Sequence, residues 1–180
     1  MRCLLIVCVI LLPACASSSS SSTPSARPAT STIGGANVGS ITMTNSTTAD
    51  VTHVANTPDA VFRILPSVFD SVSIPVNTID PSRKQIGNSG FKIRARLGKA
   101  PLSRYLDCGN TQIGPNADSY DVMLTVMTTV SPEGPTGAVL STTVDAQAKP
   151  VTYNQAYSHC SSKGGIEIRI SDLVKARLAH

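Results

Sequence analysis

The sequence predicts an α+β fold, in which an antiparallel sheet carries two helices packed on one face and follows a disordered tether. Three stretches, 91–97, 120–130 and 138–149, alternate apolar and polar residues with the two-residue period of a strand buried on one face. Two others, 57–72 and 166–178, repeat apolar residues at helical spacing. The simplest arrangement of these elements packs both helices on the same side of the sheet.

The N-terminus has the layout of a secretory signal peptide. Arg2 is followed by an uninterrupted apolar run, Cys3–Leu12, and the serines Ser17–Ser22 come soon after it. The apolar run is shorter than the roughly 20 residues that a transmembrane helix needs. We therefore expect residues 1–14 to be removed.

The end of this signal resembles the lipobox of bacterial lipoproteins. Leu12-Pro13-Ala14-Cys15 places a cysteine directly after a small residue, although Pro13 departs from the commonest pattern. The resemblance implies that Cys15 is lipidated and anchors the chain to a membrane. Ala16 is not the acidic retention signal of such families, which implies the outer membrane, facing the periplasm or the surface, in a host that has one. The alternative is an ordinary signal peptide with a chance cysteine.

Residues 15–46 form the predicted tether, because they are rich in Ser, Thr, Gly, Ala and Pro and Arg27 is their only charged residue. A segment of this composition cannot bury a core and stays disordered. Within it, Gly39–Thr44 has the character of a first edge strand. The remaining residues, 47–180, suit a single domain.

The domain is predicted to begin with a strand over Thr48–Val54, followed by a helix. Thr57 is a suitable N-cap, Pro58 suits the first helical position, and Asp59 places an acid at the positive helix end. Pro66 lies inside the apolar stripe of this helix and is expected to kink or shorten it.

Turn residues separate the later elements. Val76–Asp80 is short and extended, and Asp80-Pro81-Ser82-Arg83 predicts a type I turn that leads to a hairpin partner near Lys84. The segment 131–135 predicts the turn between the last two strands, and Gly164-Gly165 precedes the final helix.

Cys108 and Cys160 are the cysteines that remain after the signal and the anchor. An even pair in an exported chain predicts a disulfide, which stabilises a loop of about 50 residues by up to roughly 4 kcal/mol. The alternative is a reactive Cys108 with His53 or His159 as its partner, which an oxidising compartment disfavours.

The order of these elements, behind a Cys-anchored tether, is similar to the helix-grip domains of the accessory lipoprotein in the outer-membrane β-barrel assembly machine. Locally, the segments 102–109 and 114–120 resemble parts of uncharacterised bacterial lipoproteins. Neither resemblance implies a role for a particular residue.

Charge is segregated along the domain. No acid lies between Pro81 and Leu106, and no cation lies between Asp107 and Asp145. The cations of the first stretch are Arg83, Lys84, Lys92, Arg94, Arg96, Lys99 and Arg104. One interpretation pairs them with acids on neighbouring strands. The other makes them a basic face that contacts anionic lipid headgroups, cell-wall polymer or an acidic partner.

The sequence has no Gly-rich phosphate loop, no His pair at metal spacing and no Gly-x-Ser-x-Gly pattern, so we expect no metal, no cofactor and no catalytic group. His53, His159 and His180 are scattered. Nucleic acid is not an expected partner, because export separates the chain from it and aromatic residues make up only 4%. The polar loop from Cys108 to Asp118 is the remaining candidate binding surface, unless it merely crosses the sheet edge.

Together these features favour a non-enzymatic cell-envelope lipoprotein that binds another envelope protein or a cell-wall polymer. The alternative is a small-molecule or lipid-binding envelope lipoprotein, because a sheet that grips a helix can enclose an apolar pocket. An enzyme is a third hypothesis, which a free thiol at Cys108 would favour.

Overall fold

The computed structural model describes residues 29–33, 41–45, 50–152 and 154–179. The architecture is the predicted α+β one, a mostly antiparallel sheet with helices packed against it. The helices are α1 (Pro58–Ser71), α2 (Asn116–Ser119) and α3 (Gly165–Leu178). The single turn of α2 was not predicted. None of the helices in these ranges is long and apolar enough to cross a membrane.

The strands of the first half are β1 (Ala29–Ile33), β2 (Ile41–Asn45), β3 (Asp50–Val54), β4 (Thr78–Asp80), β5 (Gln85–Arg94), β6 (Arg96–Leu97) and β7 (Ala100–Pro101). Those of the second half are β8 (Leu106–Asp107), β9 (Asn110–Thr111), β10 (Gly114–Pro115), β11 (Asp121–Glu133), β12 (Gly137–Lys149) and β13 (Ser158–Ser162). A 3-10 turn over Leu102–Arg104 connects β7 to β8.

The main sheet is built around the hairpin of β11 and β12. Its strand order is β4-β5-β11-β12-β13-β8, and β3 also pairs with β12. The strand β3 lies beside 138–142 of β12, whereas β13 lies beside 146–148, so the two share one edge of this long strand. All of these pairings are antiparallel.

Two segments of the predicted tether, β1 and β2, form strands. β1 pairs with β2 in a separate hairpin, with Ala29 opposite Asn45 and Ile33 opposite Ile41. The predicted strand Gly39–Thr44 overlaps β2. The signal 1–14, the anchor Cys15 and the rest of the tether lie outside the described residues.

One face of the β11–β12 hairpin is buried at every second residue, as the alternation predicts. Its buried side chains are Val122, Leu124, Val126, Thr128, Val130, Ala138, Leu140, Thr142, Val144, Ala146 and Ala148. The hydroxyls of Thr128 and Thr142 lie 3.0 Å apart, so the two polar side chains in this row satisfy each other.

Both long helices cover this face. α1 contributes Val61, Leu65, Val68 and Phe69, and α3 contributes Ile166, Ile170 and Val174, all buried. Thr57 caps α1 by accepting from the Ala60 amide at 3.4 Å, and Pro58 is the first helical residue, as predicted. Pro66 does not shorten α1, which continues to Ser71.

Two predicted boundaries differ from the structure. The predicted strand 91–97 is the end of a longer strand, β5, and Ala95, with a φ of 63°, separates β5 from β6. The predicted turn 131–135 is shorter, because β11 continues through Pro132 to Glu133. Pro132 is tolerated there because β5 pairs no further than Thr129, which leaves one side of β11 without a neighbouring strand.

Cys108 and Cys160 form the predicted disulfide, with sulfurs 2.06 Å apart and α-carbons 4.3 Å apart. The bond joins the loop after β8 to β13, a strand that the sequence did not predict. Cys108 is therefore not the free thiol that would favour the enzyme hypothesis.

Glu167 is a buried acid in the first turn of α3. Its side chain is 0% exposed, and its Oε1 accepts from the Ser162 hydroxyl at 2.6 Å. Its Oε2 has no hydrogen-bond partner among the described residues. Burial raises the pKa of Glu167, and the nearby Asp50 carboxylate adds to that rise, while the Ser162 hydrogen bond opposes it.

We expect Glu167→Gln to gain stability relative to the parent chain as the pH rises. Because the folded-state pKa is raised, the stabilising contribution of Glu167 is complete below its ordinary pKa of 4.5 and is lost as the pH rises through the folded-state value. Glutamine does not titrate, so the variant does not lose stability in this way as the pH rises. Urea unfolding at several pH values from about 4 to 8 measures the difference in free energy of unfolding.

The matched control is Asp172→Asn, which neutralises an exposed acid on the same helix. This variant measures the effect of removing a surface carboxyl from α3, and the pH-dependent change for Glu167→Gln should exceed it. If the free energy of unfolding of Glu167→Gln, relative to that of the parent, stays constant or falls as the pH rises, the pKa of Glu167 is not raised by folding.

Candidate functional site

The sequence-predicted cations fall into two groups in the structure, those with acid partners and those without. Lys92 belongs to the first group, because its Nζ lies 2.8 Å from Oδ2 of Asp121 on the neighbouring strand β11. The hydrogen bond between them lowers the pKa of Asp121 and raises that of Lys92. This pair is the cross-strand neutralisation considered from the sequence.

Lys84 and Arg83 also have acid partners. The Lys84 Nζ lies 2.5 Å from the Asp59 carboxylate at the start of α1, and this contact lowers the pKa of Asp59. Arg83 lies 3.8 Å from Asp80 within the predicted turn. The pKa of Asp80 is lowered mainly by the Ser82 hydroxyl and then by the Arg83 amide. Arg83 and Lys84 therefore form ion pairs within the fold.

Lys99 and Arg104 belong to the second group and line one cleft of about 510 Å³. We call it the basic cleft, because it also contains Arg169 of α3 and no acid. Its other walls are the end of α1 at 71–73, residues 97–98 and 100–101, and Tyr105. Within the described part of the chain, no hydrogen bond or ion pair engages the side chains of Lys99, Arg104 and Arg169.

A second cleft of about 580 Å³ adjoins the basic cleft and shares Arg104, Tyr105 and Arg169 with it. We call it the helix cleft, because α3 supplies the rest of its lining. Those residues are Gly165, Ile168, Asp172, Leu173 and Ala176. We call the two adjacent clefts together the groove, and Arg104, Tyr105 and Arg169 line both of them.

A tight hairpin places Lys99 in the groove. β6 and β7 pair with Arg96 opposite Pro101 and Leu97 opposite Ala100. Gly98 occupies the turn with a φ of 60°, where glycine is favoured, and a β-carbon there would lie 3.1 Å from the Ser73 hydroxyl. The hairpin therefore approaches the end of α1 closely.

Arg104 is held by the residues on either side of it. The amide and the hydroxyl of Ser103 donate to the two oxygens of Asp118, at 2.8 and 2.6 Å. The Ser103 carbonyl accepts from Lys163 at 2.8 Å, and the Tyr105 carbonyl accepts from the Lys163 amide at 2.8 Å. The Asp118 carboxylate is thus engaged with Ser103, while the Arg104 side chain stays exposed.

Arg169 reaches the groove because the start of α3 lies against Tyr105. A β-carbon on Gly165 would lie 3.0 Å from a ring carbon of Tyr105, so only glycine permits this approach without a shift. Arg169 follows one turn later and is exposed. Sequence reasoning missed this residue, because the cationic stretch it identified ended at Arg104.

The remaining predicted cations lie elsewhere. The Arg96 guanidinium donates to the Lys99 carbonyl at 3.3 Å. Arg94 lines a separate cleft of about 540 Å³ with Ile113, which is 89% exposed at the tip of the β9–β10 hairpin. The predicted binding loop 108–118 thus contains a hairpin and α2, and it shares no residue with the groove.

The described part of the chain contains no group of three His, Cys, Asp or Glu side chains arranged to hold a metal ion. His53 lies 2.7 Å from Glu133, and His159 lies 3.7 Å from Asp145, both on the surface. His180 is outside the described residues.

Comparison of the chain with protein-family models, curated proteins and solved structures gives no match.

Proposed function

We propose that the chain is a non-enzymatic, lipid-anchored envelope protein whose domain binds an anionic group in the groove. The single observation that supports this most is the convergence of Lys99, Arg104 and Arg169 on one cleft that has no acid in its lining. Arg83, Lys84 and Lys92 of the basic stretch instead pair with acids within the fold. The three cations of the cleft are available to a ligand.

The physical reason is electrostatic. Like charges that share a concave site repel one another and raise the local positive potential, and a bound phosphate or carboxylate relieves this repulsion. Arginine is also suited to the task, because its planar fork binds such anions through two parallel hydrogen bonds. A competing explanation is that the three cations offset the negative C-terminal end of α1, which also borders the basic cleft.

The location and partner class rest on the sequence. The lipobox-like residues before Cys15 favour an exported, anchored chain, and such a chain meets envelope proteins, cell-wall polymers and lipids. An anionic group occurs in each of these. The apolar part of the helix cleft favours the lipid-binding alternative among them.

We expect the double variant Arg104→Gln/Arg169→Gln to bind inorganic phosphate at least about tenfold more weakly than the parent. Each hydrogen bond to a charged group contributes about 1.5 to 3 kcal/mol, and 1.4 kcal/mol corresponds to a factor of ten. The dissociation constant is measured by phosphorus NMR at low salt, on the full chain carrying Cys15→Ala.

Lys84→Gln/Lys92→Gln is the matched control, because it removes the same charge from positions outside the groove. Its dissociation constant should stay within about twofold of the parent value, because Lys84 and Lys92 lie outside the groove and are already paired with Asp59 and Asp121. Equal weakening in both double variants would show a general charge effect. If the parent does not bind phosphate and Arg104→Gln/Arg169→Gln has a lower free energy of unfolding, the result favours the competing explanation, in which the cations offset the negative C-terminal end of α1.

Lipid anchoring is tested at Cys15. We expect Cys15→Ala to release the chain from membranes or to leave an uncleaved precursor, because two or three acyl chains at this residue would provide the attachment. Membrane fractionation and electrophoretic migration in a bacterial host measure the outcome. A variant that fractionates and migrates like the parent is incompatible with the lipoprotein assignment.

A further inference from the structure

We infer that the ligand of the groove is an anionic amphiphile, with its charged head in the basic cleft and its apolar chain along the helix cleft. This inference rests on the proposed anion binding and specifies the chemical class of the ligand. It follows from the different chemistry of the two clefts, which meet at Arg104 and Arg169.

The positive charge is concentrated at one end of the groove. The basic cleft contains Lys99, Arg104 and Arg169 and no acid. The helix cleft adds no further cation and contains Asp172. A linear polyanion lying along the groove would bring its next charged groups towards this carboxylate. A ligand with a single anionic head avoids that repulsion.

The other end of the groove is apolar apart from Asp172. Ile168 is 55% exposed, and Leu173 and Ala176 extend the same surface along α3. Tyr105, which is mostly buried, also lines this cleft. Arg104 and Arg169 line the same cleft as this surface, so one molecule bound there can contact both.

Most of this face of α3 is distinct from the face that packs on the core, and Leu173 lies at the border and contacts both. The buried side of α3 has an apolar stripe, Ile166, Ile170 and Val174, with Glu167 and Ser171 buried beside it. The residues of the helix cleft also recur at helical spacing, at positions 165, 168, 169, 172, 173 and 176. α3 therefore has a second face with its own chemistry, and covering the sheet does not account for Ile168.

The size of the groove suits such a ligand. Ligand sites are commonly clefts of about 300 to 1,000 Å³ with mostly apolar walls and a few polar groups that fix orientation. Each of the two clefts falls in this range, at about 510 and 580 Å³. Arg104 and Arg169 would fix the head, and the apolar wall would select the chain.

The test compares inorganic phosphate, octyl phosphate, decyl phosphate and the uncharged octyl glucoside, each below its critical micelle concentration. The full chain carrying Cys15→Ala is titrated by calorimetry and NMR. Dissociation constants should fall from phosphate to octyl phosphate to decyl phosphate, by about two- to fourfold for each methylene that becomes buried. Octyl glucoside should bind much more weakly than octyl phosphate.

Two variants separate the head from the chain. Ile168→Asn should remove most of the dependence of the dissociation constant on chain length. Arg104→Gln/Arg169→Gln should weaken every phosphate ligand. Ile79→Asn is the matched control, because Ile79 is 56% exposed, close to the 55% of Ile168, and lies on β4 outside the groove. It should change none of the dissociation constants.

The outcomes distinguish the two proposals. Phosphate binding that depends on the arginines but not on chain length supports the proposed function and overturns the amphiphile, leaving a polymer or protein anion as the ligand. A chain-length effect that persists in Ile168→Asn overturns the assignment of the chain to the helix cleft. Absence of binding by every phosphate ligand overturns both.

Discussion

The hairpin of β11 and β12 presents an apolar or small side chain to one side at nearly every second position, and this side has to be removed from water. Burial of a leucine or valine side chain stabilises the folded state by about 1.5 to 3 kcal/mol, so a row of them cannot be left exposed. α1 and α3 are the elements that cover the row. Their positions, and the surfaces they leave outside the core, follow from this requirement.

The groove follows from the orientation in which α3 packs on the core. Its buried stripe fixes the rotation of the helix about its axis, and this rotation turns Arg169 and Ile168 outward on the adjoining face. Gly165 lets the helix start against Tyr105. The Lys163 contacts to Ser103 and Tyr105 then tie the chain before α3 to the segment that carries Arg104. Two cations distant in sequence thereby become neighbours.

The Cys108–Cys160 bond acts on the same part of the molecule. It connects the chain that follows β8 to β13, and β13 leads directly into the Lys163 segment and α3. In the chain-entropy model, a cross-link over a loop of this length stabilises the fold by up to roughly 4 kcal/mol, because it restricts the unfolded chain. The disulfide and the hydrogen bonds of Lys163 thus hold the two sides of the groove together.

The parts of this structure that sequence patterns predict are those governed by local periodicity. Sequence patterns predict the alternation in β11 and β12 and the capping of α1, because each depends on residues that are close together along the chain. β13 was missed because Ser158–Ser162 shows no apolar alternation, and its pairing depends on β12 and the disulfide. Arg169 was missed for a related reason, since only tertiary packing brings it beside Arg104.

A crystal structure of the chain grown with decyl phosphate tests the central claim most directly. We predict phosphate density in the basic cleft within hydrogen-bond distance of Arg104 and Arg169, with the alkyl chain against Ile168 in the helix cleft. Density for the ligand on the strand face beside Lys92, or at the Arg94 and Ile113 cleft with the groove empty, would contradict it.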